Sequence, residues 1–176
     1  MLNIVLHQPE IPSNTGNIAR TCLATGASLH LVKPLGFSID DRQLKRAGLD
    51  YWHDVDIHLW DSLDALFAAT PAAEPRRFLF TTKTNRPYYT VPFQPGDWFI
   101  FGRETKGLPE SLLAAHPAQC VTIPMLPPVS KDPAPLNLNM NMNMNPTPPA
   151  PVRSLNLSVA VAVAIFEARR QFATAP

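Results

Sequence analysis

Short apolar runs alternate along the chain with longer segments in which apolar residues recur at helical spacing. The apolar runs predict buried strands at 2–6, 28–32, 54–60, 76–82, 97–102 and 119–125. The helical spacing predicts helices at 13–27, 40–48, 61–69, 109–116 and 154–172. Strands that alternate with helices indicate an α/β fold with a mostly parallel sheet and helices on both of its faces.

Capping and stopping residues set the expected ends of two helices. Ser13 or Asn14 is expected to cap the first helix, because short polar side chains accept hydrogen bonds from free amides there. Gly26 is expected to end it, because glycine readily adopts the left-handed conformation of a helix stop. Ser154 is the expected cap of the last helix, with Asn156 in its first turn.

One segment fits neither a helix nor a strand. Residues 126–153 hold 8 of the 20 prolines, and part of the segment alternates leucine or methionine with asparagine. Long low-complexity loops inside a domain are either functional or disordered. Met140, Met142 and Met144 would share one face of an extended segment and could bind a soft metal such as Cu(I). The chain is predicted to form one domain over 1–176, with an insertion at about 126–153.

Composition narrows the function classes and the compartment. The net charge is only +1, so a nucleic-acid partner would need a concentrated basic patch. Cys22 and Cys120 are predicted to be buried free thiols in a reducing compartment. The N-terminal segment has no basic region, and the longest apolar stretch stops at Glu167. A cytoplasmic protein without a signal peptide or a membrane span is therefore expected.

Two polar segments that follow predicted strands carry residues suited to chemistry. In "NTGNIAR" (14–20), Asn17 and Arg20 lie one helical turn apart, and Gly16 lets a ligand approach the backbone. In "FGRETKGLP" (101–109), two glycines bracket charged residues at the end of a strand, where parallel sheets bind ligands. A capped helix with a surface arginine explains the first segment equally well, and a solvated turn is the alternative for the second. The histidines show no metal-ligand spacing with the cysteines, so no metal site is expected.

Taken together, three ordered segments resemble a known family. "PEIPSNTGNIARTC", "FGRETKGLP" and "SLNLSVAVAVAIFEARRQ" are similar to motifs one, two and three of the SPOUT superfamily of S-adenosylmethionine-dependent RNA methyltransferases. The TrmH-like 2′-O-ribose methyltransferases are the most similar branch. "LKRAGLDYW" and "TTK" most resemble the TrmL type, which methylates the wobble cytidine or uridine of tRNA. The resemblance spans residues 1–125 and 153–172.

The resemblance implies a fold, an assembly and a set of site residues. It implies a carboxyl-terminal trefoil knot, a homodimer with active sites at its interface, and the anticodon loop of tRNA as partner. S-adenosylmethionine would bind in the knot, with cofactor contacts at Phe80 or Thr81, Gly102, Ile123, Ser154 and Leu155. The polar positions used in catalysis or RNA handling would be Asn14, Arg20, Glu104, Ser154 and Asn156.

The role of Arg20 follows from its chemistry. The resemblance implies that the motif-one arginine activates the ribose hydroxyl. An arginine side chain stays protonated in proteins, so it cannot act as the base. We therefore expect Arg20 to act as an oriented cation that lowers the pKa of the hydroxyl and grips the adjacent phosphate. RNA contacts, weakened steeply by salt, are expected from basic residues at Lys33, Arg42, Lys45, Arg46, Lys83, Arg86, Arg103, Lys106 and Arg153.

Two alternative functions fit the same resemblance. One is an RNA-binding protein of this fold without activity. The other is a methyltransferase that acts on a base or on another RNA position, although the motif-one segment favours the ribose.

Leu-Asn-Leu occurs twice, at 136–138 and at 155–157. Only the second copy is followed by a long helical run, so it is the one expected to complete motif three. The 28 residues at 126–153 replace a short loop of the family and could be a solvated excursion, a cover for the cofactor or an RNA contact.

Overall fold

A six-stranded parallel sheet forms the centre of the part of the chain that the structure describes. The structure is a computed structural model that describes residues 1–38, 52–125 and 154–174. The strands are β1 Asn3–His7, β2 Ser28–Val32, β3 Ile57–Trp60, β4 Arg77–Phe80, β5 Trp98–Phe101 and β6 Cys120–Val121. They lie in the order β3-β2-β1-β5-β4-β6, and every neighbouring pair is parallel. The predicted mostly parallel sheet is confirmed.

Helices cover both faces of this sheet, as the alternating pattern predicts. They are α1 Pro12–Thr25, α2 Leu63–Ala69, α3 Glu110–Ala115 and α4 Leu157–Thr174. On one face, Ile18 of α1 and Ile165 of α4 join the apolar core around Leu6 and Phe99. On the other face, Leu66 of α2 packs in the second core with sheet residues. The predicted helix at 40–48 and the insertion lie outside the described residues.

Four predicted strands are longer than the observed ones, and the prediction at 97–102 exceeds β5 by one residue at each end. The prediction at 54–60 begins inside a 3₁₀ turn, Trp52–Asp54, which ends before β3. The prediction at 76–82 overlaps a 3₁₀ helix, Pro71–Arg76, so β4 starts one residue later. Of the prediction at 119–125, only Cys120–Val121 forms a strand, β6. Beyond it, Thr122 makes a single β-bridge to Pro87. Apolar runs locate strands, but the pairing partners determine their ends.

Both predicted amino-terminal caps are wrong, whereas the glycine stop is confirmed. The N-cap of α1 is Ile11, without a side-chain hydrogen bond, and Pro12 takes the first helical position. Gly26 ends α1 with φ of +70°. The last helix begins only at Leu157, three residues beyond Ser154. Its capping bond comes from Asn156, whose side-chain oxygen accepts the amide N–H of Ser158 at 2.9 Å.

The two cysteines are buried free thiols, as predicted. Cys22 lies on α1 and Cys120 on β6. Burial raises the pKa of Cys22 to about 12, so its sulfur stays protonated and unreactive at neutral pH. Within the described ranges, no helix combines the length and the apolar character needed to cross a membrane.

A buried histidine lies on the sheet face that α2 and α3 cover. Nδ1 of His30 accepts a hydrogen bond from the indole N–H of Trp60 at 3.1 Å, which fixes a neutral ring. The ring stacks on His58, with centroids 4.7 Å apart, and His58 in turn pairs with Asp56. Burial, followed by the charge of His58, lowers the pKa of His30 to about 4. Protonation of His30 therefore requires loss of the Trp60 bond.

Stability is expected to fall as the pH drops from about 6.5 towards 4. An unfolded histidine titrates near 6.5, so in this interval the unfolded chain binds a proton that folded His30 does not. The free energy of unfolding should decrease by up to about 3 kcal/mol between pH 6.5 and pH 4. Above pH 6.5, titration of His30 should not change it. Urea unfolding at several pH values measures the loss. His30→Gln should remove most of it, whereas His53→Gln, at an exposed histidine, should retain it; equal slopes in all three proteins would contradict the assignment.

Candidate active site

A cavity of about 530 Å³ opens where β4, β5 and β6 end. Its volume is in the usual range for small-molecule sites. Parallel α/β sheets bind ligands at the carboxyl ends of their strands. Five chain segments form the wall. Its residues are Ile11, Asn14, Phe80, Thr81, Thr82, Lys83, all of 101–108, Thr122, Ile123, Met125, all of 154–157 and Ala160.

The structure brings together every residue that the resemblance places in the cofactor site. These residues come from four separate parts of the sequence and are Phe80, Thr81, Gly102, Ile123, Ser154 and Leu155. Apolar side chains, hydroxyl groups and loop backbone dominate this wall, a mixture that suits a nucleoside carrying a polar amino-acid tail. The lining therefore fits S-adenosylmethionine in size and in chemistry.

Glycine is required at position 102 by close packing rather than by its backbone angle. Its φ lies outside the left-handed region. A Cβ atom there would lie 2.0 Å from the carbonyl carbon of Gly107 and 2.2 Å from the amide nitrogen of Leu108. The chain after β5 thus folds back tightly on itself, and backbone hydrogen bonds between Arg103 and Gly107 close this turn at 2.9 and 3.3 Å. A side chain at position 102 would force the cavity wall apart.

Side chains of all three motifs form one hydrogen-bonded chain beside the cavity. The side-chain nitrogen Nδ2 of Asn14 donates to Glu104 Oε1 at 3.0 Å. The Asn14 oxygen accepts from Nδ2 of Asn156, also at 3.0 Å. Asn156 accepts in turn from the Ser158 hydroxyl at 2.7 Å. Because the side chains of Asn14 and Asn156 each donate one bond and accept another, this chain fixes the orientation of both side-chain amides. Asn14 itself is only 5% exposed.

Arg20 is the one predicted catalytic residue that does not line this cavity. It lies on an exposed position of α1, six residues beyond Asn14. Six residues correspond to about 600° of helical rotation, so the two side chains leave the helix in different directions. Its part in catalysis stays a prediction.

Two carboxylates also join the loops after β1 and β5, and the sequence pattern did not predict these contacts. The Glu104 carboxylate accepts the backbone amides of Glu10 at 2.9 Å and of Ile11 at 3.3 Å. In the opposite direction, the Glu10 carboxylate accepts the backbone amide of Thr105 at 3.1 Å and its hydroxyl at 2.8 Å. These bonds, with the Thr105 hydroxyl first, lower the pKa of Glu10. Both residues stand inside the quoted motifs, but only the adjacency of β1 and β5 pairs them.

The basic residues predicted to contact RNA divide into four groups. Arg103 and Lys106 line the cavity. Lys33 pairs with Asp61 at 3.0 Å, and Lys83, at the cavity wall, pairs with Glu110 at 2.6 Å. Arg86 donates to the backbone oxygen of Ala118. The remaining four, Arg42, Lys45, Arg46 and Arg153, lie outside the described residues, as do Met140, Met142 and Met144. No group of three or more histidine, cysteine or carboxylate side chains suited to a metal occurs in the described part of the chain.

Comparison with known proteins decides the family. The sequence model of the SpoU rRNA Methylase family matches residues 1–144. The chain belongs to the SpoU rRNA methylase family. The match ends within 126–153, before Ser154, so the Leu-Asn-Leu copy that it covers is the one at 136–138. In the structure, by contrast, Asn156 of the second copy contacts Asn14.

Relatives and solved structures agree with this family. The tRNA (cytidine(34)-2′-O)-methyltransferase of Methylovorus glucosotrophus is 52% identical over 128 residues, which are 72% of this chain and 82% of that protein. The enzyme of the same name from Burkholderia ambifaria is 47% identical with the same coverage. A solved structure concerned with "the 2-OH methylation of C/U34 on tRNA" has a TM-score of 0.78 at 44% identity, over 99% of this chain and 98% of that one.

More distant structures share the fold. The SpoU methyltransferase AviRb of Streptomyces viridochromogenes, solved in complex with AdoMet, has a TM-score of 0.75 at 19% identity. The likeness covers 100% of this chain and 59% of that one. The family match and the relatives that are about half identical confirm the predicted relationship to SpoU-type RNA methyltransferases.

Proposed function

We propose that this protein transfers a methyl group from S-adenosylmethionine to the ribose 2′-oxygen of cytidine or uridine 34 of tRNA. The observation that carries the proposal is the hydrogen-bonded chain from Glu104 through Asn14 to Asn156, which joins three motifs beside one cavity. The relatives named above, about half identical over most of their length, bear the name of this activity.

The cavity beneath the motif-two loop is the proposed cofactor site. Bound there, S-adenosylmethionine would supply a methyl group on a positively charged sulfur. Phe80 and Ile123 offer apolar surface, and the backbone between Gly102 and Leu108 offers amide and carbonyl groups. The protein's main task is to align the attacking oxygen with the methyl group, since transfer requires an in-line arrangement.

Activation of the ribose hydroxyl is the second requirement. A hydroxyl becomes a good nucleophile only when its proton is removed or its developing charge is stabilised. We assign this stabilisation to Arg20, whose fixed positive charge would lower the hydroxyl pKa and hold the neighbouring phosphate. The adjacent phosphate oxygen is the proposed proton acceptor, because Arg20 stays protonated and cannot accept a proton.

A homodimer is the proposed assembly. Val159 and Phe166 are 48% and 58% exposed, and they lie seven residues apart on the same side of α4. Arg20 does not line the cavity of its own chain, which supports an active site completed by a second chain. We also propose the single domain and the trefoil knot that the resemblance implies. In support, the segments after β4, β5 and β6 line one cavity together with residues 154–157.

A second candidate substrate is ribosomal RNA or another RNA position. The description of the matched family names rRNA, which is the specific observation in its favour. Arg103 and Lys106 would contact an RNA backbone in either case, because phosphate contacts carry no sequence information. The choice between substrates therefore rests on an assay.

Purified protein is expected to add one methyl group to tRNA whose position 34 carries an unmodified cytidine or uridine. Labelled S-adenosylmethionine measures incorporation, and mass spectrometry of nuclease fragments locates it. A synthetic anticodon arm with a 2′-deoxyribose at position 34 is the matched control, because it keeps the base and lacks the nucleophile. Incorporation into this control would show methylation of a base or of another ribose, which the fragment masses distinguish, and incorporation only into rRNA would favour the second candidate. Cofactor binding without any RNA methylation would indicate an inactive RNA-binding protein.

A further inference from the structure

The loops after β1 and β5 hold each other by exchanged carboxylate bonds. Glu104 accepts the backbone amides of Glu10 and Ile11, and Glu10 accepts the amide and hydroxyl of Thr105. The Glu10 and Thr105 positions are 95 residues apart in the chain. We call this arrangement, formed by Glu10, Ile11, Glu104 and Thr105, the reciprocal clamp.

Glu10 lies outside the cavity, so its role cannot be direct contact with the cofactor. Ile11 and Asn14 line the wall, whereas Glu10 does not. Its carboxylate is occupied by Thr105, which also lowers its pKa. A carboxylate with a depressed pKa and both oxygens engaged is a poor general base. The remaining role is to hold other groups in place.

The groups held by the clamp belong to the polar chain of the site. Glu104 is the shared member: one carboxylate binds the backbone at Glu10 and also the side chain of Asn14. Asn14 then orients Asn156. Release of Thr105 would free the motif-two loop at the residue next to Glu104, so a displacement there passes directly to Asn14.

A third segment packs against the backbone of Glu10. Gly36 donates its amide N–H to the carbonyl oxygen of Pro9 at 2.9 Å. A Cβ atom at Gly36 would lie only 2.8 Å from Cα of Glu10, so the two backbones are in close contact. Glu10 therefore presents its carboxylate from a rigid position, which is what a positioning residue requires.

We propose that Glu10 is a positioning residue for methyl transfer, acting through Thr105 and Glu104 on the orientation of Asn14 and Asn156. This inference rests on the proposed function. The misplacement of a catalytic group by about 1 Å costs on the order of 100-fold in rate. Loss of the Glu10 carboxylate should therefore lower kcat more than it weakens cofactor binding, because Phe80, Ile123 and Leu155 come from other parts of the chain.

The test compares four variants with the wild type. Glu10→Ala and Thr105→Val should each lower kcat by about 10- to 100-fold. In Glu10→Ala, whose residue lies outside the cavity wall, the cofactor Kd should change by less than about threefold. Thr105→Ser keeps the hydroxyl and should retain kcat within about threefold, which makes it the matched control. The double variant Glu10→Ala/Thr105→Val should be no worse than Glu10→Ala, since the hydroxyl contact that Thr105→Val removes is already absent in Glu10→Ala.

Hydrogen exchange gives a readout that does not depend on activity. In Glu10→Ala, the amide of Thr105 should exchange faster than in the wild type, whereas amides of β2 should not change. Unchanged exchange at Thr105, or wild-type kcat in Glu10→Ala, would overturn the proposal. So would a loss of kcat that disappears at a temperature well below the Tm of the variant. If the wild type fails to methylate tRNA while the exchange result holds, the proposed function fails and the clamp stands.

Discussion

Replacement of Arg20 by alanine is expected to lower kcat by about 100- to 1,000-fold, the usual effect of removing one group that stabilises a developing oxyanion. The affinity for S-adenosylmethionine should stay within about twofold, because Arg20 does not line the cavity. Arg20→Lys retains the charge and loses the planar fork, so it should recover only a small part of the rate. Methylation kinetics and calorimetry with the cofactor measure the two effects separately.

The location of Arg20 allows a sharper version of this experiment. If the active site takes Arg20 from a second chain, coexpression of an Arg20→Ala chain with an Asn156→Ala chain creates mixed dimers. Each mixed dimer then contains one site with both residues intact, and activity should reappear in the mixture. Each variant alone should remain inactive. A near-normal rate in Arg20→Ala itself would show that the arginine has no part in the reaction.

Replacement of Gly102 by alanine should abolish measurable cofactor binding, with a loss of at least about 100-fold in affinity, which corresponds to about 2.8 kcal/mol. The added Cβ would lie 2.0 Å from the backbone of Gly107, whereas ordinary carbon contacts are near 3.5–4.0 Å. The backbone on both sides of the turn must therefore move by more than an ångström. Calorimetry with S-adenosylmethionine measures the loss.

Gly96→Ala is the matched control for this prediction. Gly96 has φ of +96° and no atom within 4 Å of an added Cβ, so alanine there introduces backbone strain without a clash. It should lower stability by roughly 1–2 kcal/mol and leave cofactor affinity unchanged. If Gly102→Ala binds the cofactor as the wild type does, the motif-two turn is not the wall of the cofactor site.

Local patterns in the sequence predicted the architecture well because burial imposes them locally. A strand buried on both faces needs a nearly continuous apolar run, and β2 and β5 show one. The stop at Gly26 was also predictable, since the left-handed conformation depends on one residue. Strand ends were less predictable, because the end of β6 depends on what β4 offers as a partner.

The wrong cap assignment at Asn14 has a physical cause. Asn14 has a side chain that caps prefer, and capping is a local preference. In the folded chain, the side-chain oxygen that a cap would need accepts from Asn156 instead, 142 residues away. The helix begins instead at Pro12, whose missing amide proton makes the first position favourable.

The sequence by itself determined the parallel α/β sheet, the end of α1 at Gly26 and, through three ordered motifs, the family. Those features depend on neighbouring residues or on motifs that can be read in order along the chain. Only the tertiary structure decided that Glu104 bonds to Asn14, that Glu10 holds Thr105, and that Arg20 lies outside the cavity. The physical reason is that β1 and β5 become neighbours only when the sheet assembles, which brings together loops that lie more than 90 residues apart.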